Sequence, residues 1–114
     1  MKQAYVVETA WEVCWQLGGI YTVLRSKAPA MVSQLGDHYC LVGPYNQATA
    51  EVEFEATTIS ETSQITSQED TPFHRAAKVL AQRGIKIHVG RWLISGRPIV
   101  VLIDFLASWH KISE

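Results

Sequence analysis

Features that mark several specialised classes of protein are scarce in this sequence. Ten lysine and arginine residues stand against eleven aspartate and glutamate residues, so the formal net charge is only −1. Proteins that bind nucleic acids or anionic membranes need a basic surface to neutralise phosphates. The near-neutral balance therefore argues against a nucleic acid or a membrane as partner.

Long apolar runs and a cysteine framework are also missing. No apolar stretch approaches the roughly 20 residues that a membrane-spanning helix needs. The N-terminus, MKQAYVVE, leads directly into a strand-like pattern without the apolar core of a signal peptide. The two cysteines, Cys14 and Cys40, lie in apolar sequence, which suits reduced core thiols better than a disulfide framework. We expect a cytoplasmic protein.

Motifs for several common chemistries do not occur. The four histidines show no metal-ligand spacing with one another or with the cysteines. Neither a Gly-x-Ser-x-Gly nucleophile motif nor a Gly-Lys-Ser/Thr phosphate loop is found. We therefore expect neither a metal site nor a cofactor.

The first half of the chain alternates strand and helix signals. Residues 4–8 (AYVVE) and 38–43 (HYCLVG) are short β-branched and aromatic runs, which is typical of buried strands. Between them, apolar residues recur at helical spacing until Gly36, although Pro29 predicts a kink or break. These helix residues are Ile20, Val23, Leu24, Ala28, Met31, Val32 and Leu35. The pattern predicts a βαβ unit with two parallel strands and a right-handed crossover.

The composition changes after Pro44. Residues 51–70 carry only acidic charges among many serine, threonine and glutamine residues, so we expect most of this segment to be exposed and partly mobile. Its first five residues, EVEFE at 51–55, alternate like an edge strand. The segment interrupts the strand and helix pattern.

A second helix and two strands are predicted for the C-terminal half. Thr71 is a typical N-cap, and Pro72 suits the first helical position. The predicted buried face comprises Phe73, Ala76, Ala77 and Leu80. Strands at 85–93 and 98–105 are joined by the short turn ISGR, and a carboxylate, Asp104, ends the last strand. The whole pattern predicts an α/β fold with a mostly parallel sheet, flanking helices and a C-terminal hairpin.

The four tryptophans leave two interpretations open. Aromatic residues of this size can stack on a sugar or a base, but burial in the core is their more common role. We favour core positions for the tryptophans, and we expect Trp11 to be the exception because it lies in the loop that leads to two adjacent glycines.

Gly18 and Gly19 form the most unusual feature, because they separate the first strand from the first helix. Unpaired backbone N–H groups and the helix dipole make such a junction suitable for an anion such as a phosphate. The two glycines would permit positive φ angles and a close approach of the ligand. A tight turn or close packing of the helix on a strand would explain the same residues. The residues alone leave both interpretations open.

Three long segments together resemble one protein family. They are WEVCWQLGGIYTVLRSKAP at 11–29, LGDHYCLVGPYNQ at 35–47 and GIKIHVGRWLISGRPIVVLIDF at 84–105. Their order and spacing are similar to the opening of animal and fungal glycogen synthases, which are glycosyltransferases with two Rossmann-like domains (the GT-B fold). By this resemblance residues 1–114 are the incomplete N-terminal part of one Rossmann-like domain.

The resemblance implies an activity and a set of binding residues. Enzymes of this family transfer glucose from UDP-glucose to the non-reducing end of an α-1,4-glucan, with retention, in a cleft between the two domains. Their glycine loop approaches the phosphates and sugar of the donor. The matching residues here are Gln16, Gly18, Gly19, Ile20 and Tyr21. Because the catalytic carboxylates of the family belong to its other domain, no catalytic residue is assigned in this chain, and the isolated chain is expected to be inactive.

One position departs from the family pattern. The family usually carries lysine or arginine two residues before the first glycine, where this chain has Gln16. A neutral amide supplies hydrogen bonds but no charge to a diphosphate leaving group. We expect donor affinity or turnover to be reduced unless another cation substitutes, and we expect Arg25 and Lys27 to lie on the solvated face of the helix.

Two other functions fit the residues. The chain could be a binding module that holds a nucleotide sugar or phosphate without chemistry, or a non-catalytic interaction domain that contacts a partner through residues 51–70. An open sheet edge in an incomplete domain would favour self-association into a homo-oligomer.

Three further residues carry weaker hypotheses. Glu12 could contact a sugar hydroxyl, although an exposed loop carboxylate is the simpler interpretation. Arg91 and Trp92 could support the floor of a cleft, but an ion pair of Arg91 with Glu8 or Asp104 would also account for the arginine.

Overall fold

A computed structural model describes residues 4–57 and 71–105 of the chain. In chain order the elements are β1 (Val6–Thr9), α1 (Gly19–Leu35), a short 3₁₀ helix (Gly36–His38), β2 (Tyr39–Pro44), α2 (Gln47–Glu53), β3 (Phe54–Ala56), α3 (Pro72–Gln82), β4 (Ile87–Trp92) and β5 (Ile99–Ile103). None of the described helices is long and apolar enough to cross a membrane.

The five strands form one mixed sheet in the order β1-β2-β5-β4-β3. β1, β2 and β5 pair in parallel, whereas β4 pairs antiparallel with both β5 and β3. Four of the five strands consequently run in the same direction. The predicted α/β fold, with its βαβ unit and C-terminal hairpin, is confirmed and is compatible with a partial Rossmann-like domain.

The main core lies between α1 and the sheet. Tyr21, Leu24 and Ala28 of α1 are buried, and they pack with fully buried strand residues such as Leu41 and Trp92. Spacings of three and four residues place these three side chains on one face of the helix. The predicted face was partly wrong, because Ile20 and Val23 are 54% and 57% exposed. The buried face is rotated toward Tyr21, whose aromatic ring fills more of the core than the side chain of Ile20 or Val23 would.

The first helix continues through Pro29. The helix runs from Gly19 to Leu35 with Pro29 inside it, so the break that was predicted as one of two outcomes does not occur. Pro29 lies against the turn between β4 and β5, where a Cβ on Gly96 would stand 2.9 Å from the Cα of Pro29. Gly96 also has a φ of +89°, so glycine is favoured there by both conformation and space.

The predicted edge strand begins three residues later than expected. Residues 51–53 form the last turn of α2, which starts at the N-cap Asn46, whose side chain accepts a hydrogen bond from the Thr49 N–H at 3.2 Å. Only Phe54–Ala56 forms strand β3, at the edge of the sheet. The cap nucleates a helical turn that the alternating sequence did not indicate. Most of the predicted exposed segment, residues 58–70, lies outside the described residues.

The helix α3 begins as predicted but buries a different face. The Thr71 hydroxyl caps the helix by accepting from the His74 N–H at 3.3 Å. Ala77 is buried and Phe73 half-buried, whereas Ala76 and Leu80 are exposed. His74 is buried instead, because hydroxyl groups lie within hydrogen-bond distance of both ring nitrogens: Thr71 Oγ1 at 2.7 Å from Nδ1 and Thr57 Oγ1 at 2.9 Å from Nε2.

Both cysteines are free and buried, as the sequence predicted. Burial raises the pKa of Cys40 to about 12 and also raises the pKa of Cys14. Both thiols are therefore protonated at neutral pH, which suits inert core residues better than nucleophiles.

His88 on β4 predicts a pH-dependent stability. Its ring stacks on Tyr45 with 3.9 Å between centroids, and its Nε2 is buried without a hydrogen-bond partner among the described residues. Burial and the nearby Lys86 lower the pKa of His88, while Asp104 opposes the shift. Since the pKa is lower in the folded state than the value of about 6.5 in an unfolded chain, the unfolded state takes up protons first as the pH falls.

We therefore expect the contribution of His88 to stability to be complete above pH 7 and to be lost progressively as the pH falls below about 6.5. The substitution His88→Phe keeps the stacked ring and should flatten this dependence in equilibrium denaturation between pH 7.5 and 5. The matched variant His38→Phe removes another stacked histidine and should retain the contribution of His88. Equal pH profiles for His88→Phe and the unmodified protein would contradict the assignment.

Candidate functional site at the glycine loop

The loop between β1 and α1, residues 10–18, is anchored to the sheet. The Ala10 N–H donates to the Val42 carbonyl at 3.0 Å, and Val13 and Cys14 are buried. A Cβ on Gly43 of β2 would stand 2.8 Å from both the Ala10 carbonyl oxygen and Val13 Cβ. Glycine at position 43 therefore lets the loop lie directly on β2, which fixes the path of the chain toward Gly18.

Glu12 lies within this glycine loop and is only 9% exposed. Its Oε1 accepts hydrogen bonds from the backbone N–H groups of Leu17, at 3.1 Å, and of Gly18. The simpler expectation, an exposed loop carboxylate, is wrong for this residue. Two donors from the backbone stabilise the buried carboxylate, and its negative charge lies next to the positive end of α1.

The two glycines do not adopt the conformation that was expected. Gly18 is extended, with a φ of −165°, and Gly19 is the first residue of α1, so neither has a positive φ. A Cβ on Gly18 would make an ordinary contact of 3.7 Å with Glu12, and a Cβ on Gly19 would meet nothing within 4 Å. Nothing in the described part of the chain requires glycine at position 19.

The first turn of α1 offers backbone donors to the open space at Gly19. The first N–H groups of an α-helix have no intrahelical partner, and within residues 4–57 and 71–105 no acceptor is found for the N–H groups of Gly19 and Ile20. Both residues are exposed, Ile20 by 54%. Free donors at the positive end of a helix dipole can bind an anion.

A polar groove lies beside the loop. It has a volume of about 460 Å³ and is lined by Gln16, Tyr21, Thr22, Arg25, Ser26, Pro29 and Ser95. The structure thus brings two of the predicted binding residues, Gln16 and Tyr21, to the groove, while Gly18, Gly19 and Ile20 lie outside its lining. Arg25 is exposed, as expected, but it also lines the groove and brings a positive charge to the wall that contains Gln16. Lys27 pairs instead with Glu8, at 2.6 Å.

Tyr21 is held by a carboxylate that the sequence did not reveal. The Tyr21 hydroxyl donates to Glu53 Oε1 at 2.5 Å, and the Trp92 indole N–H donates to the same oxygen at 3.2 Å. The Tyr21 and Trp92 rings also meet edge to face, with 5.6 Å between centroids. Burial and the neighbouring Glu53 raise the pKa of Tyr21. Glu53 lies in a segment that reads as exposed and acidic, so no local signal could have placed it here.

The arginine next to Trp92 has a different partner from those predicted. Arg91 forms an ion pair with Asp37 at 3.0 Å and donates to the Arg97 carbonyl at 3.0 Å, whereas the sequence had suggested Glu8 or Asp104 as partners. Asp37 follows α1 and lies close to the β4–β5 turn only in the folded chain. These contacts tie the hairpin to the end of α1 and give Arg91 a structural role.

The tryptophans largely follow expectation. Trp92 is fully buried, and Trp15 is half-buried. Trp11 is 62% exposed and stacks on Phe105 with 6.0 Å between centroids. The prediction that Trp11 lies outside the core is confirmed. Trp109 lies outside the described residues. In the described part of the chain no three histidine, cysteine, aspartate or glutamate residues are grouped so as to hold a metal ion.

Comparisons with known proteins place this arrangement in a family. The family model described as glycogen synthase matches residues 8–114. A glycogen (starch) synthase of Dictyostelium discoideum is 40% identical over 107 residues, which are 94% of this chain and 11% of that protein. Isoform 1 of the Saccharomyces cerevisiae enzyme is 40% identical over 114 residues, 100% of this chain and 16% of that protein. The human liver enzyme is 35% identical over 111 residues, 96% of this chain and 14% of that protein.

These matches have two consequences. The chain spans only 11% to 16% of the length of these three relatives, so it corresponds to a small part of a much larger protein in each of them. The family model nevertheless covers nearly all of the chain, including the glycine loop, both hairpin strands and the groove residues. The chain therefore belongs to the glycogen synthase family.

Proposed function

We propose that the complete protein containing this chain transfers glucose from UDP-glucose to the non-reducing end of an α-1,4-glucan, with retention of the anomeric configuration. In this proposal residues 1–114 form part of the wall that binds the sugar-nucleotide donor. The isolated chain is inactive, because the carboxylates and most nucleotide contacts that transfer requires lie outside it.

The observation that supports donor binding best is the open space at Gly19. Glycine is unfavourable in a helix relative to alanine, yet no contact or backbone angle in the described residues accounts for it at this position. A ligand that closely approaches the backbone would account for it. The N–H groups of Gly19 and Ile20, for which the described residues offer no acceptor, lie at the positive end of α1 and suit the diphosphate of UDP-glucose.

The groove supports the same proposal through its polar lining. The hydroxyl groups of Thr22, Ser26 and Ser95 can bond to a hydroxyl-rich ligand such as a sugar. Arg25 brings a positive charge to the wall that also contains Gln16. We infer that Arg25 partly replaces the cation that the family usually carries at position 16, because a positive charge stabilises the diphosphate as it leaves.

The direct test is transfer of labelled glucose from UDP-glucose to glycogen by the longest reading frame that contains this chain. Incorporation that is released by an α-1,4-specific glucosidase supports the proposal. If the pure, folded protein incorporates no glucose but binds UDP-glucose, the chain belongs to a binding module. If it neither transfers nor binds, an interaction domain becomes the better interpretation.

Gln16→Lys is expected to raise kcat/KM for UDP-glucose, by about 10-fold if the new charge is worth the 1.4 kcal/mol that corresponds to this factor. Arg25→Gln should lower kcat/KM in the parent protein and lower it less in the Gln16→Lys background, because the two cations then serve one diphosphate. The four steady-state measurements form a double-mutant cycle. No gain in Gln16→Lys would show that the neutral amide is not a defect in charge compensation, and additive effects would show that Arg25 acts independently.

A further inference from the structure

We propose that Glu12 is a positioning residue of the glycine loop, residues 10–18. Its carboxylate binds the backbone N–H groups of Leu17 and Gly18, and the N–H groups of Gly19 and Ile20 are thereby left to bind the donor. This inference rests on the proposed function, because it names the residue that orders the same site. No sequence motif indicates it, since Glu12 precedes the glycines by six residues and lies in a loop.

The hydrogen bonds of Glu12 divide the backbone donors into two groups. A single carboxylate oxygen, Oε1, accepts from the N–H groups of both Leu17 and Gly18. The N–H groups that follow, those of Gly19 and Ile20, lie in the first turn of α1, and the described residues offer them no acceptor. Glu12 thereby fixes the direction of the chain at the point where it enters α1, and a shift of about 1 Å in such a position can cost a factor of roughly 100 in rate.

The surroundings of Glu12 explain why it can hold this position. Its neighbours Val13 and Cys14 are buried, and Gly43 of β2 gives the loop room to pack on the sheet. Glu12 is itself 9% exposed, so water competes little for its carboxylate. A buried acceptor that serves two backbone donors is costly to remove, because both donors would lose their partner.

Because only one oxygen makes both bonds, the role of the acceptor can be separated from the role of the charge. Glu12→Gln keeps a carbonyl oxygen of similar reach but removes the charge, whereas Glu12→Ala removes both. In the longest reading frame that contains the chain, we expect Glu12→Ala to raise KM for UDP-glucose about 10-fold, with a smaller change in kcat, because two backbone donors lose their acceptor. Glu12→Gln should restore KM to within about 3-fold of the parent, since it retains the acceptor.

The matched control is Glu8→Ala. Glu8 is also a loop-proximal carboxylate that accepts from two partners, Tyr39 at 2.7 Å and Lys27 at 2.6 Å, but it lies on β1 and away from the groove lining. Its removal should lower the thermal midpoint and leave KM for UDP-glucose unchanged. Equal KM increases in Glu8→Ala and Glu12→Ala would overturn the proposal in favour of general loss of stability.

Two other results would also overturn it. An unchanged KM in Glu12→Ala would show that the loop needs no such support. Lower KM values in both Glu12 variants would show that the carboxylate competes with the donor for the loop instead of ordering it.

A measurement without donor separates this inference from the proposed function. Hydrogen exchange of the Leu17 and Gly18 amides should become faster in Glu12→Ala and return toward the parent rate in Glu12→Gln. If the protein transfers no glucose, the proposed function fails, whereas this exchange pattern still reports whether Glu12 orders the loop. Unchanged exchange in Glu12→Ala would refute the positioning role whatever the activity.

Discussion

Replacing Gly19 by valine is expected to lower glucose transfer from UDP-glucose on the order of 100-fold, an effect typical of a misplaced reacting group, while the protein stays folded. The side chain would project into the open space in front of α1, where a Cβ meets nothing within 4 Å. If the proposed function holds, a side chain at this position meets the donor. Gly19→Ala should give an intermediate loss of transfer, because it adds only one methyl group.

The same variants should lose transfer activity without losing stability. Gly19 is the first residue of α1 and has no positive φ, so alanine there should stabilise the helix slightly, by less than about 1 kcal/mol. Transfer assays and thermal denaturation on one preparation test both expectations. Ala30→Val, at an exposed position of the same helix, is the matched control and should retain full transfer. Full activity in Gly19→Val would mean that no ligand approaches this backbone.

Replacing Gly90 by alanine is expected to destabilise the protein by about 3 kcal/mol, the upper part of the usual range for an overpacked core. Gly90 lies in β4 opposite Ala56 of β3. An added Cβ would stand 2.0 Å from the Glu55 carbonyl oxygen and 2.9 Å from the Ala56 Cα. Because these are backbone atoms, no side-chain rotation can relieve the overlap, and β3 must move away from β4.

The displacement of β3 should reach the candidate site. The Glu53 carbonyl accepts from the Leu93 N–H at 2.8 Å, and its side chain holds Tyr21 and Trp92. Gly90→Ala should therefore lower the denaturation midpoint and also alter tryptophan fluorescence before global unfolding. Gly19→Ala serves as the comparison, since it makes the same chemical change where space is available. A denaturation midpoint equal to that of the parent would show that β3 and β4 can separate at little cost.

Local sequence signals predicted those elements whose determinants lie close together in the chain. The parallel strands β1 and β2 were recognised from short apolar runs, and α3 from the adjacent Thr71 and Pro72. The hairpin was recognised from two strands joined by a four-residue turn. In each case the apolar period or the cap acts within a few residues. By contrast, Asn46 capped a helix that extends into EVEFE, and that alternating pattern predicted a strand instead.

Local sequence signals predicted only part of the candidate site. The glycine pair marked the loop, and the family resemblance named the residues around it. The roles of Glu12 and Glu53 were not predicted, because each depends on donors that folding brings to a carboxylate: Leu17 and Gly18 for Glu12, and Tyr21 and Trp92 for Glu53. The Tyr21 and Trp92 partners of Glu53 are 32 and 39 residues away in sequence.

The sequence by itself thus determined the α/β class, the βαβ unit, the buried thiols and the position of the glycine loop, since apolar periodicity and turn chemistry are local properties. Only the tertiary structure decided which face of α1 is buried, which cation lines the groove beside Gln16, and which backbone donors at the loop are already occupied. These depend on contacts that form only when the chain folds, where burial and hydrogen bonding outweigh local preference.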